Sequence, residues 1–172
     1  MKTRALLGAV TCCLTLITGN ALAGTDEEAV QNTILGLAQA TTDFSKTKDR
    51  QAVLKFFAAD FSAIDDGEVG SLKDVEKMLT DLEEQLKGQD RIAISDEVSH
   101  IIVQISGPLA WARYDEVLTV SGSQLVAIEA SKCTAILQKT AKGWLYQHEH
   151  CSSPRIRKSS EPEKEAIPKI SV

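Results

Sequence analysis

Four long segments of alternating polar and apolar residues fill the second half of the chain and constrain its fold more than any other feature. Short gaps containing Gly, Ser or Pro separate them, so neighbouring segments pair as antiparallel hairpins. Strands this long exceed the usual length of about 5 to 6 residues, so the sheet must bend or contain bulges. The predicted strands are Arg91 to Ile105, Leu109 to Val120, Gln124 to Thr140 and Gly143 to Cys151.

Helical patterns precede these strands. Thr25 and Glu28 form a capping box in front of a predicted helix. A later segment has Leu and Val at spacings of three and four, which gives one continuous apolar helix face. The predicted elements are helices at Asp26 to Phe44, Asp49 to Ala58 and Ser71 to Gly88, with a short strand at Asp60 to Ile64. This order predicts an α+β fold.

The N-terminal 23 residues have the features of a secretory signal peptide. Lys2 and Arg4 precede an apolar run that is shorter than the roughly 17 residues a membrane span needs. The small residues at Ala21 and Ala23 form a cleavage site. We therefore expect export to the periplasm or the medium, a domain over residues 24–153, and a disordered tail over 154–172.

The charge balance narrows the classes of partner. The chain has a net charge of −5, and loss of the signal peptide would change this to −7. Acidic proteins are poor ligands for nucleic acids and anionic membranes, so neither is expected as a partner. The sequence contains no phosphate-binding loop or nucleophile elbow, and no cofactor is assigned.

Cys133 and Cys151 are the two cysteines outside the signal peptide. In an exported domain they are a candidate disulfide, with two buried free thiols as the alternative. A three-residue loop that ends at Gly143 would place Thr140 opposite Trp144. The same register places the two cysteines directly opposite each other, which favours the disulfide.

This register also predicts which side chains share one face of the sheet. The face includes both tryptophans, so we expect it to pack against the helices. Its polar groups must then pair with one another or line a wet cavity, because an unpaired buried charge is costly. The predicted ligand-binding residues are Trp111, Arg113, Thr134, Ile136, Trp144, Tyr146, His148 and His150.

The sequence offers few candidates for catalysis or metal binding. His148 and His150 can present two imidazoles to a metal, but spacing places no third ligand, and no metal site is assigned. The third ligands considered are His100, Asp65 and Asp115. Asp65 and His148 are candidates for an acid–base role. Asp65 and Asp66 are more simply explained as turn formers before Gly67.

Three motifs, together with the order of the elements, resemble the nuclear-transport-factor-2-like (NTF2-like) superfamily, which includes SnoaL-like and ketosteroid-isomerase-like proteins. The resemblance covers about Asp26 to Ser153, and it implies a cone in which a curved sheet wraps around the helices and opens onto a pocket. Asp65 matches the position of the isomerases' base. The motifs are the segments Phe57 to Asp65, Leu109 to Ala112 and Gly143 to Ser152.

The favoured interpretation is an exported domain that binds a small, partly apolar molecule in its cone, or serves as an interaction module, without catalysis. The alternative is an isomerase, lyase or hydrolase that uses Asp65 or His148 as base. The oxyanion-stabilising Tyr of the isomerases is not matched, because Tyr114 is expected on the opposite face of the sheet. The resemblance also implies a homodimer formed through the sheet, and a purely structural dimer is a third interpretation.

Overall fold

A computed structural model describes residues 25–87, 92–122 and 126–153. The predicted signal peptide and C-terminal tail lie outside these residues. The helices are α1 (Asp26–Thr47), α2 (Arg50–Leu54) and α3 (Leu72–Leu86). The strands are β1 (Phe57–Asp65), β2 (Glu68–Ser71), β3 (Ala93–Ser106), β4 (Leu109–Ser121), β5 (Val126–Thr140) and β6 (Gly143–Ser152).

The strands form one curved, unclosed sheet in the order β2-β1-β6-β5-β4-β3. All neighbours are antiparallel except β1 and β6, which are parallel. A bulge bends β3 between Ser99 and Ile102, where His100 has a φ of 54°. The α+β cone predicted from the sequence is confirmed.

Helix α1 packs across the sheet through one apolar stripe. Its N-terminus has the predicted capping box, in which the Thr25 N–H donates to the Glu28 carboxylate at 2.9 Å and the Glu28 N–H donates to Thr25 Oγ1 at 3.2 Å. Val30 and Ile34 are buried in the same core cluster as alanines of the facing strands. The closest approach of α1 to the sheet is over β3.

A second core cluster joins the three helices. Phe44, Val53, Leu79 and Leu86 are all buried in it. Helix α2 is shorter than predicted and ends at Leu54. The chain joins the sheet directly afterwards, because the Phe56 carbonyl accepts a hydrogen bond from the Tyr146 N–H at 2.8 Å. Within the described segments, no helix is long and apolar enough to cross a membrane.

The β5–β6 hairpin has its bulge at a different place from the predicted one. Thr140 is opposite Gly143, not Trp144, so the predicted pairing next to the turn is wrong by one residue. The register shifts at Gln147, since Leu137 pairs with Tyr146 whereas Ile136 pairs with His148. Beyond this bulge the predicted register holds, and Cys133 is directly opposite Cys151.

The bulge divides β6 between the two faces of the sheet. We call the face toward α1 and α3 the inner face, and the opposite one the outer face. Trp144 and Tyr146 are buried on the inner face, as predicted. After the bulge, Glu149 and Cys151 take the inner positions, so the predicted inward orientation of His148 and His150 is wrong.

The orientation predicted for β4 and β5 is also wrong. Trp111 is 37% exposed and Ile136 is 39% exposed, whereas Ala110 and Ala112 are buried. The small side chains of Ala110 and Ala112 lie in the buried cluster that contains Val30 and Ile34 of α1, so the large side chains of β4 point outward. Arg113 is exposed and Thr134, its partner in the register, shares its face.

Candidate functional site

A cavity of about 310 Å³ lies between the helices and the inner face. Its wall is mainly apolar and includes Ile34 from α1, Val75 and Leu79 from α3, and Val98 from β3. Small-molecule sites in proteins begin at about 300 Å³ and combine apolar walls with a few polar groups. The cavity therefore has the size and the lining of a site for a small organic molecule.

Acidic side chains cross the inner face in a row, which we call the carboxyl row. Five neighbouring strands contribute one carboxyl group each, and every member lines the cavity. In sheet order the members are Asp65 on β1, Glu149 on β6, Glu129 on β5, Glu116 on β4 and Asp96 on β3. Asp65 and Glu129 are exposed and lie at the open end, the mouth, whereas the other three are partly buried.

Asp96 and Glu116 lie beside each other on the neighbouring strands β3 and β4. Their carboxyl groups lie within hydrogen-bonding reach of each other. Burial is the main cause that raises the pKa of Glu116 to about 8, and the nearby carboxyl groups of Asp96, Glu149 and Asp65 contribute to the same rise. Burial also raises the pKa of Asp96. At neutral pH the pair therefore shares one proton.

One oxygen of this pair has no partner. Asp96 Oδ1 is fully buried and receives no hydrogen bond from any residue that the structure describes. The backbone of the same residue is held in place, because its N–H donates to Thr42 Oγ1 of α1 at 2.9 Å. A buried acceptor without a donor is costly, and such groups in native proteins commonly serve a ligand or a water.

Two buried tyrosines lie beside Glu149. The Tyr114 hydroxyl donates a hydrogen bond to the Glu149 carboxylate. The hydroxyl oxygens of Tyr114 and Tyr146 are 3.4 Å apart. Burial raises the pKa of both tyrosines and also that of Glu149. The phenols therefore remain protonated at neutral pH and can act as hydrogen-bond donors.

Sequence reasoning missed Tyr114, which it placed on the outer face. The residue is 4% exposed and lines the cavity. A signal was present in the alternation of Ala110, Ala112 and Tyr114, whose two small residues fit a closely packed core face.

Asp65 lies at the mouth, where β1 ends. A turn follows it, with φ values of 46° at Asp66 and 93° at Gly67. Partial burial raises the pKa of Asp65, and the nearby carboxylates of Glu129 and Asp66 raise it further. The nearby His150 acts in the opposite direction and lowers this pKa. The sequence-based candidate base thus lies at the cavity, while its turn-forming role is also satisfied.

The cysteine pair borders the carboxyl row. Cys133 and Cys151 have Cα atoms 4.2 Å apart and sulfur atoms at bonding distance, 2.08 Å. The predicted pairing is confirmed. Cys133 Sγ lies 3.4 Å from Glu116 Oε2, so the disulfide forms part of the surroundings of the Asp96–Glu116 pair.

The structure brings only part of the predicted ligand-binding set to the cavity. Tyr146 lines it, and Trp144 is buried in the adjoining core. His148 Nδ1 is 2.8 Å from Ser62 Oγ, and His148 is not part of the lining. The members that lie on the outer face, away from the cavity, are Trp111, Arg113, Thr134, Ile136, His148 and His150.

The residues considered as metal ligands are dispersed. His100 Nδ1 lies 3.1 Å from Asp115 Oδ2, which Lys132 also contacts at 2.6 Å, so Asp115 is neutralised by basic partners. In the described part of the chain, one group of potential ligand atoms converges, from Glu116, Cys133 and Cys151. Its two sulfurs are bonded to each other and are thus not free thiolates.

Solved structures share this fold at low sequence identity. An NTF2-like protein with a cystatin-like fold from Novosphingobium aromaticivorans has a TM-score of 0.60 at 14% identity, over 78% of this chain and 84% of that chain. A ketosteroid isomerase-like protein from Erwinia carotovora atroseptica has a TM-score of 0.55 at 16% identity, over 76% and 97%. A proposed dehydratase of the NTF2-like family from Streptomyces avermitilis has a TM-score of 0.58 at 16% identity, over 75% and 96%.

These identities establish the shared fold alone. No curated protein matches the chain. The family model for the SnoaL-like domain matches residues 34–156, which include most of α1 and the whole sheet. The chain therefore belongs to the SnoaL-like domain family of the NTF2-like superfamily.

Proposed function

We propose that this protein binds a small, partly apolar organic molecule in the cavity between its helices and the inner face of the sheet. The observation that carries the proposal is the cavity itself, at about 310 Å³ with a mainly apolar wall and a limited set of polar groups. The apolar wall would bind the ligand by burying its apolar surface, and hydrogen bonds to the tyrosines and carboxyl groups would orient it.

A cavity-filling substitution tests this proposal. Val75 lines the cavity, whereas Glu76, the next residue of α3, is exposed outside it. A thermal-shift screen of small ring compounds should give stabilising hits on the wild-type protein and on the control variant Glu76→Phe. The same hits should be lost in Val75→Phe. Retention of all hits in Val75→Phe would place binding elsewhere and refute the proposal.

An isomerase, lyase or hydrolase is the second candidate function. It is favoured by one observation, that Asp65 and Glu116 line the same cavity in different environments. Asp65 at the mouth could accept a proton as base, while Glu116, whose pKa burial raises to about 8, could donate one. His148, the other candidate base, lies on the outer face, so this hypothesis rests on Asp65.

The enzyme hypothesis requires turnover that depends on the Asp65 carboxylate. Asp65→Asn should abolish turnover of a substrate identified from the binding screen and leave its affinity within a few-fold of wild type. The matched control is Asp66→Asn, which changes a neighbouring carboxylate that does not line the cavity. Equal turnover in wild type and Asp65→Asn would exclude this role.

We also propose export and assembly through the sheet. Export rests on the N-terminal signal pattern and predicts that protein recovered from the periplasm or medium begins at Gly24 by mass spectrometry. Dimerisation with a second copy rests on exposed apolar residues of three adjacent outer-face strands, Ile102, Trp111 and Ile136, which are 43%, 37% and 39% exposed. Sedimentation should then show a dimer that Trp111→Arg dissociates.

A further inference from the structure

The carboxyl row is unusual for a cavity with apolar walls. Five successive strands each place one acid on the same concave surface, so the row crosses the cavity wall from β1 to β3. The described lining contains no Lys, Arg or His to neutralise these acids. The lining residues of α1 and α3 carry no charge either. Burying carboxyl groups without cationic partners is unfavourable, so the row calls for a positive occupant.

Asp96 supplies an independent observation. Its Oδ1 atom is fully buried, lies in the cavity wall and has no hydrogen-bond donor among the described residues. Glu116 is beside it, and its proton can satisfy only part of the pair's acceptor capacity. A ligand that brings several N–H donors would satisfy the acceptors that this pair leaves open.

We propose that the occupant of the cavity is an organic ammonium ion, a primary or secondary amine with a compact apolar body. Its apolar body packs against the aliphatic wall from α1, α3 and β3, and its ammonium group binds at Asp96 and Glu116. An ammonium group has N–H donors and no acceptor, which matches an all-carboxyl set. Asp65 and Glu129 at the mouth attract the same charge during entry. This inference rests on the proposed binding function and specifies its ligand class.

Binding of an ammonium ion should release a proton from the Asp96–Glu116 pair. The titratable groups that face Glu116 are Asp96 on β3, Glu149 and Tyr146 on β6, and Asp65 on β1, with the Cys133 disulfide sulfur beside it. None of them is cationic. A bound ammonium ion would therefore drive the proton of the Asp96–Glu116 pair into solution. The binding enthalpy should then depend on the ionisation enthalpy of the buffer near pH 7.

A matched set of three probes tests the ligand class on the purified protein. Adamantylamine, adamantanol and adamantanone share one rigid apolar body and differ in a single polar group. Isothermal titration of wild type should show the amine binding at least about tenfold more tightly than the other two, with proton release on binding. Glu116→Gln and Asp96→Asn should each lower amine affinity by at least about tenfold and leave the alcohol unaffected. Glu97→Gln, an exposed neighbour on β3, is the control and should behave like wild type.

The outcomes separate this inference from the proposed function. If the alcohol or the ketone binds as tightly as the amine, the ammonium assignment is wrong while the cavity remains a binding site. If none of the three binds, the ammonium assignment fails, and the thermal-shift screen with Val75→Phe decides the binding function separately. The proton release is measured on the wild-type protein, so it decides the question even if a variant does not fold. Amine binding without proton release would contradict the assignment of its charge to the Asp96–Glu116 pair.

Discussion

The carboxyl groups of Asp96 and Glu116 lie within hydrogen-bonding reach of each other inside a cavity whose wall is otherwise mainly apolar. Asp96 is on the edge strand β3 and Glu116 is on the neighbouring strand β4, and both side chains line the cavity on the inner face. Because burial disfavours two adjacent negative charges, the pair keeps a proton at neutral pH. Such a pair can bind a cation or donate a proton.

The pair predicts how stability depends on pH. Burial raises the pKa of Glu116 from 4.5 to about 8, so the folded state binds more protons than the unfolded state between these values. Stability contributed by this proton is therefore fully present below pH 4.5 and is lost as the pH rises toward 8, by at most about 1.4 kcal/mol per pH unit. Glu116→Gln should make the free energy of unfolding fall less steeply with pH. Urea unfolding from about pH 5 to about pH 9, which covers the titration, measures this. An unchanged decline in the variant would contradict the assignment.

The variants Tyr114→Phe and Tyr146→Phe should differ in stability. Tyr114→Phe removes the donor of a buried carboxylate, Glu149, and should lower the free energy of unfolding by about 1–3 kcal/mol. Tyr146→Phe removes a hydroxyl that is 3.4 Å from its neighbour and should cost less. Chemical denaturation of the two variants measures the difference. A larger loss for Tyr146→Phe would contradict the assignment of Tyr114 as the hydrogen-bond donor to Glu149.

The two tryptophans test the assignment of faces. Trp144 is 4% exposed on the inner face, and Trp144→Ala should destabilise the protein by about 3–5 kcal/mol. Trp111 is on the outer face, and Trp111→Ala should cost about 1 kcal/mol or less. Thermal or urea unfolding of both variants gives the comparison. Similar losses at both positions would argue against the outward orientation of Trp111.

The disulfide should be a substantial source of stability. Cys133 and Cys151 are separated by 18 positions along the chain, and closure of a loop of this size stabilises a fold by about 3 kcal/mol. The folded protein should resist alkylation until it is reduced, and the double variant Cys133→Ala, Cys151→Ala should unfold at lower urea. Two alkylated cysteines in the folded, unreduced protein would show that the bond does not form.

The sequence predicted the element order, the α+β class and the cysteine pairing because these depend on local periodicity and on the turn chemistry near Gly143. It predicted the wrong face for much of the sheet because a face assignment depends on every bulge between the turn and the residue considered. The bulge at Gln147 has no Gly or Pro to mark it, and it separates Tyr146 from His148.

The carboxyl row was missed for a related reason. Hydrophobicity favoured the face with Trp111, whereas the packing of α1 selects the face with Ala110 and Ala112. When Ala110 and Ala112 are placed on the inner face of β4, alternation along the strand places Tyr114 and Glu116 on that face too. Asp65 was found because it ends a strand next to a turn, a position that depends little on the register of the long hairpins.

Methyl NMR of isoleucine residues can show whether a ligand binds in the inner cavity. Ile34, Ile64 and Ile94 line the cavity, whereas Ile102, Ile128 and Ile136 are exposed outside it. Titration with adamantylamine should shift the methyl signals of the first three and leave those of the other three in place. Shifts confined to Ile102, Ile128 and Ile136 would place the ligand on the outer face and contradict the account.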